Sequence, residues 1–173
     1  MGNEVNSIEK KENIFTGIIG ALLFSLLGGA LWVEIYLFAG FAWASGIIIA
    51  ILAVNGYRIL GKGKSITGVV ISLFIALAVI VFTSYVCLSV DIFCAYIEWF
   101  ATGVKDHSVT MIQAFFEAYT FLEDPGILEV FIEITGLGMV SCVLGFVFYF
   151  VGAVRYRRQN KKAQIPEGNN GQN

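Results

Sequence analysis

Proline, histidine and charge are all scarce in this chain of 173 residues: two prolines, one histidine and 14% charged residues, where soluble domains carry about 25% charge. The two prolines and the lack of a Gly-X-Y period exclude collagen, and three cysteines are too few for a disulfide scaffold. With His107 as the only histidine and no G-x-S-x-G or H-E-x-x-H string, there is nothing from which to build a catalytic group. His107 beside Asp106 lacks the further ligands that zinc needs. The expectation is a non-enzymatic protein with no catalytic residue, no metal and no cofactor. What is abundant is apolar: 57% of residues are hydrophobic and the mean hydropathy is +0.78. A soluble domain of this size leaves roughly a third of its unfolded-chain surface exposed, so lipid is the natural solvent for so apolar a chain. The few basic residues give no nucleic-acid partner.

Four uncharged windows set the expected architecture. They hold 21 residues between Glu12 and Glu34, 23 between Glu34 and Arg58, 26 between Lys64 and Asp91, and 21 between Glu133 and Arg155. About 20 apolar residues at 1.5 Å each cross a hydrocarbon core of about 30 Å. No window alternates with the period of a barrel strand, so the spans are helices. The reading is an all-α integral membrane four-helix bundle of two transmembrane hairpins, with spans at about 14–34, 37–57, 65–90 and 130–154 and an amphipathic outer segment at 91–124. Residues 1–12 form a cytoplasmic tail, 13–158 the transmembrane domain, and 159–173 a disordered tail.

Threaded back and forth, this arrangement puts ten of the eleven Lys and Arg on one side, leaving Lys105 alone among the acids of the other. The positive-inside rule then places both termini in the cytoplasm. An A-x-A string at Ala42 to Ala44 follows an apolar region too long for a signal peptide.

Between the spans, a tight turn is expected around Glu34 to Gly40, and Ser65 is placed to cap the third helix. That helix continues past Asp91 until Gly103. In the outer segment, Ile112, Phe115, Phe116, Tyr119 and Leu122 fall at helical spacing opposite Gln113, Glu117 and Thr120, an amphipathic helix that either lies at the headgroup boundary or packs on the bundle. Asp124 followed by Pro125 reads as the start of the last helix.

Small residues recur along every span. Gly17, Ala21, Ser25 and Gly29 are four apart on the first; Ala42, Gly46 and Ala50 on the second; Gly68, Ser72 and Ala76 on the third; Gly138, Gly145 and Gly152 are seven apart on the fourth. Such stripes let helix backbones approach closely in lipid. They suit contacts within one chain, with a second copy, or with another membrane protein. Carboxylates near the spans are costly and therefore informative. Glu34 reads either as an interfacial residue in water or as a buried cation or proton site. Glu129 and Glu133, one turn apart, repel unless relieved. With Asp91 and Glu98, spaced by seven, they would line an acidic outer vestibule, a candidate ion or solute pathway. Cys87 and Cys94 are about 10 Å apart along one helix, too far to pair, and are expected to be buried thiols, with Cys142 mismatched in height.

Gly17, Gly20, Ala21, Leu22, Gly28, Gly29, Ala30, Trp32, Tyr36 and Gly40, followed by Gly56, Tyr57, Arg58 and Gly61, resemble a hairpin of uncharacterised small membrane proteins of Gram-positive bacteria. The resemblance covers roughly the first third of the chain and implies a bacterial plasma membrane. Two functions follow as expectations: an accessory or self-associating interaction subunit, or a small solute or cation transporter or substrate-binding membrane component using the carboxylates.

Overall fold

The computed structural model describes residues 13–39, 44–62, 65–103 and 109–163, with side chains of the last segment described to Gly152 and at Arg155. Lys10, Lys11, Gly40, Ala42, Lys64, Lys105, Asp106, His107 and the two terminal tails, 1–12 and 164–173, lie outside the described residues. Five helices follow in order: α1 (Ile14–Ala39), α2 (Ser45–Gly61), α3 (Ile66–Ala101), α4 (Met111–Phe121) and α5 (Pro125–Ala163). Three of them, α1, α3 and the Pro125–Gly152 part of α5, are long and apolar enough to cross a membrane. The fourth apolar helix, α2, has 17 residues, about 25 Å at 1.5 Å per residue.

Local chemistry sets the helix ends. Asn13 Oδ1 accepts from the Thr16 N–H, and Ser65 Oγ accepts from the Gly68 N–H, each satisfying a donor that the first turn leaves free. Lys62 closes α2 with φ 54° and Gly103 follows α3 with φ 72°. Asp124 Oδ1 accepts from the N–H groups of Gly126 and Ile127 at the start of α5. One expected turn moves. α1 runs through Glu34 to Ala39, because Leu31 to Ala39 contains no helix breaker, so Glu34 is an exposed residue within a helix and not part of a turn.

Glycine positions fix how the helices meet. α1 and α2 run antiparallel: Gly17 meets Tyr57 and Gly61, Gly20 meets Gly56, and Gly28 meets Ile49. A Cβ on Gly20 would overlap the Gly56 carbonyl, and one on Gly56 the Gly20 carbonyl. Their common end is tied by the Asn13 N–H donating to the Gly61 carbonyl at 3.0 Å and by Thr16 Oγ1 donating to the Leu60 carbonyl at 3.0 Å. α3 runs parallel to α1, with Gly29 against Val79 and Thr83. α5 runs parallel to α2: Gly46 meets Gly138 and Ser141, Gly145 meets Ile47 and Ala50, and Arg58 donates to the Tyr149 hydroxyl.

Two aromatic rings lock this arrangement. Tyr57, 2% exposed, lies between Gly17 of α1 and Gly68 of α3, and Trp32, fully buried, lies on Gly138 of α5 beside Ile80. Around them, Ile49, Ala53, Ala76 and Val79 form the main core. Large residues such as Leu23, Leu27, Phe74, Val140 and Phe148 face outward, the distribution expected where lipid surrounds the helices and small residues make the interfaces.

α4 docks on α3 and runs parallel to it. Phe115 meets Phe82 and Tyr85, while Phe121 meets Tyr96, so α4 advances along α3 in the same sense as α3 itself. The start of α4 therefore lies beside the uncharged part of α3, not beyond its end. A capping box between Thr110 and Gln113 satisfies the first backbone donors there. The expected apolar face divides: Phe115 and Leu122 are half-buried, whereas Ile112, Phe116 and Tyr119 point away from the protein. Ala114 and Ala118, both fully buried, make the contact.

These packing distances give a differential test. Gly20→Val is expected to lower thermal stability in detergent by at least about 1–3 kcal/mol through overpacking. Gly136→Ala, where a Cβ meets nothing within 4 Å, is expected to hold or raise it, since Ala exceeds Gly in helix propensity by about 0.8–1.0 kcal/mol. Thermal unfolding followed by circular dichroism distinguishes the two.

Candidate functional site: the recess around Asp91

Toward the C-terminal end of α3, where α1 and α3 run side by side, Tyr36 donates its hydroxyl hydrogen to Asp91 Oδ2 at 2.6 Å. The two residues are 55 positions apart in sequence, and the parallel course of α1 and α3 brings them together. Asp91 is exposed and Tyr36 half-buried. The bond fixes one carboxylate oxygen and turns the other side of the group toward the space between α3 and α5.

That space comprises two cavities. The larger, about 340 Å³, opens between α3, α4 and α5 and has Asp91, Ile92, Ala95, Trp99, Phe121 and Ile127 among its walls. Asp91 is its one charged wall residue; the rest of the lining is apolar side chains and Gly126. The smaller, about 20 Å³, lies among Tyr36, Ser84, Cys87 and Phe131. Leu88, Asp91 and Val130 border both.

The walls are rigid where α4 meets α3. Tyr96 stacks edge-on with Trp99 at 5.4 Å and Phe121 at 6.3 Å, and its hydroxyl donates to Glu117 Oε2 at 3.4 Å. Tyr85 donates to the Phe115 carbonyl at 2.8 Å. With Ile92, Val109, Ala114 and Ala118 these form a second, smaller core, so α4 is a fixed side of the larger cavity.

The other expected pathway residues do not join Asp91. Glu34, Glu98, Glu129 and Glu133 are exposed, and none borders either cavity. The reason is helical phase: Ile127, Val130 and Ile134 of α5 face the cavities, and Glu129 and Glu133 lie off that stripe. Glu98 borders neither cavity: from Asp91 it lies about 20° round α3 on the side away from Ala95 and Trp99, which follow the cavity face in steps of four. Among the described residues no group of three His, Cys, Asp or Glu is placed to hold a metal ion.

The expected packing residues are found as follows. Gly17, Ala21, Ser25, Gly29, Gly46, Gly138 and Gly145 are all buried. Those glycines all meet other helices of the same chain. Gly152 does not: it is exposed and a Cβ there would meet nothing within 4 Å, two heptads from Gly138 and so about 40° out of phase. The cysteines are free, Cys87 and Cys142 buried; Cys94, expected to be buried, is exposed on the outer side of α3.

Sequence reasoning passed over Tyr36, Ser84 and Trp99. The usable signal was direction: two parallel spans put Tyr36 and Asp91 at the same end, and Asp91, Ala95 and Trp99 recur at four-residue spacing. No protein-family model, curated protein or solved structure matches the chain.

A double-mutant cycle tests the Tyr36–Asp91 contact. Tyr36→Phe and Asp91→Ala are expected to couple by about 1.5–3 kcal/mol in unfolding free energy, the range for a hydrogen bond to a charged group. Additivity within about 0.3 kcal/mol would mean that the two residues do not interact.

Proposed function

We propose that this chain is a non-enzymatic, four-span protein of a bacterial plasma membrane, with both termini cytoplasmic, that acts as a binding component through the recess around Asp91. The single observation that carries the reading is the cavity of about 340 Å³ walled by α3, α4 and α5, within the size range of small-molecule pockets, about 300–1,000 Å³.

Self-association through the small-residue stripes has less to support it, since every stripe glycine but Gly152 meets a helix of the same chain. A carrier reading retains one residue, Asp91, where a convergence of carboxylates was its premise. The four-span arrangement is supported by the alternating helix directions and by α2 lying along α1 from Gly28 to Gly17. Tilt and the apolar residues flanking α2 extend its 17 residues toward the bilayer thickness. The excess of Lys and Arg at one end supports the orientation.

Two measurements test the proposal. Reporter fusions are expected to place the N-terminus and C-terminus on the cytoplasmic side; opposite faces would contradict the topology. A brominated phenylalkyl alcohol is expected to quench Trp99 saturably in the full chain, with Trp99→Phe identifying the signal and Ala95→Phe, which fills the cavity, removing it. Unsaturable quenching that Ala95→Phe leaves unchanged would contradict a binding recess.

A further inference from the structure

Arg58, near the end of α2, is half-buried and has no charged partner among the described residues. Every described carboxylate, from Glu34 to Glu133, belongs to the opposite end of the helices. A partly desolvated cation without a counter-ion is costly. Its only bonded neighbour is Tyr149 of α5: Nη1 donates to the Tyr149 hydroxyl, the guanidinium carbon lies 4.9 Å from the centre of the same ring, and Nε is enclosed without a partner. Arg58 is not needed to close α2, because the Leu60 and Gly61 carbonyls accept from Thr16 and Asn13 of α1.

This contact leaves donors unused. Nη2 makes no hydrogen bond among the described residues and is not enclosed as Nε is, and the Tyr149 hydroxyl, which accepts from Nη1, has no acceptor there for its own hydrogen. Both donors belong to one side-chain pair, so a single group with several oxygens can accept from both. There is also space beside them. Gly152 lies three residues beyond Tyr149 and about 20° round α5 from Gly145, which packs on α2. It is exposed, and a Cβ on it would meet nothing within 4 Å. The seam between the parallel helices α2 and α5 therefore opens just past Arg58. Lys62, about 6 Å beyond Arg58 on α2, and Arg155, about 9 Å beyond Tyr149 on α5, are both exposed.

We infer that the open end of the α2–α5 seam seats the phosphate of an anionic phospholipid, with Arg58 and the Tyr149 hydroxyl as donors and the gap at Gly152 as the room for the headgroup. The site rests on the helices being embedded in lipid and is independent of the recess around Asp91. An arginine offers five donors and no acceptor, and its bonds to phosphate are charge-assisted. Tyr149 orients the guanidinium in advance, which reduces the entropy lost on binding. Two observations point to a lipid and not a soluble anion: Arg58 lies within the span, one turn before Lys62, and its neighbours Ile59, Phe148 and Val151 are exposed apolar residues of the same two helices. Acyl chains have a surface to lie on there. The exposed cations Lys62 and Arg155 beyond the seat favour an anionic headgroup over a zwitterionic one, whose terminal ammonium they would repel. Basic pockets between spans commonly take acidic headgroups in this way.

The test measures binding of phosphatidylglycerol and phosphatidylcholine to the full chain in detergent by native mass spectrometry, at high ionic strength to screen the exposed lysines and arginines. The first phosphatidylglycerol is expected to bind at least about tenfold more tightly than phosphatidylcholine. Arg58→Gln and Gly152→Phe are each expected to erase most of that preference while leaving phosphatidylcholine binding unchanged. Gly152→Phe alters no charge and adds its ring where nothing is packed, so it reads the seat independently of any role of Arg58 in folding. Equal binding of the two lipids would overturn the inference. A preference that survives both substitutions would assign it to the basic tail, and one lost in Arg58→Gln but retained in Gly152→Phe would place the headgroup elsewhere; either contradicts the seat described here. Competition by inorganic phosphate at concentrations equal to that of the lipid would assign a soluble anion and overturn the lipid. None of these results bears on the recess, which the quenching of Trp99 tests separately.

Discussion

Direct contact of backbone with backbone, made where side chains are missing, is the constraint on which the rest of this structure depends. In lipid no hydrophobic expulsion drives one apolar helix onto another, so association rests on van der Waals contact and on the few hydrogen bonds available. Gly20 against Gly56 brings α1 and α2 together at a distance no Cβ would permit. Gly46 against Gly138 and Ser141 does the same for α2 and α5. The rings of Tyr57 and Trp32 then fill the remaining spaces on glycine surfaces, converting close approach into a fixed rotational setting for each helix.

That rotational setting determines the recess. With α1 and α3 parallel and α5 held against α2 and α3, Tyr36 reaches Asp91 and the Ile127–Val130–Ile134 stripe of α5 faces it. α4 completes the wall because its small residues, Ala114 and Ala118, let it lie directly on α3, with Tyr96, Trp99 and Phe121 meeting edge to face. A carboxylate in this position is expensive in an apolar environment. The Tyr36 hydroxyl meets part of that demand.

Much of the fold was legible in the sequence because membrane solvation makes its signals coarse. Long uncharged windows, small residues at steps of four, Ser65 as a cap, and Asp124–Pro125 as a helix start each depend on local chemistry. α4 was harder for a physical reason. Its large apolar residues suggested which face would dock, but beside lipid the large side chains Ile112, Phe116 and Tyr119 turn outward and the alanines turn in. The acidic residues separate by phase: Glu129 and Glu133 share a face of α5 that lies off the Ile127–Val130–Ile134 stripe bordering the cavities. Tyr36 was invisible as a site residue because its role arises only from the parallel register of α1 and α3.

The central claim, that these glycine-lined contacts join helices of a single chain, is tested most directly by oxidative crosslinking of Ala50→Cys with Gly145→Cys in a protein whose native cysteines are replaced by alanine. A Cβ on Gly145 would stand 3.0 Å from that of Ala50, slightly inside the usual disulfide spacing of about 3.5–4.5 Å, so a small relaxation permits the bond. The expected product is an intramolecular disulfide in a protein of monomer size. Crosslinking between chains, with no intramolecular product, would contradict the account.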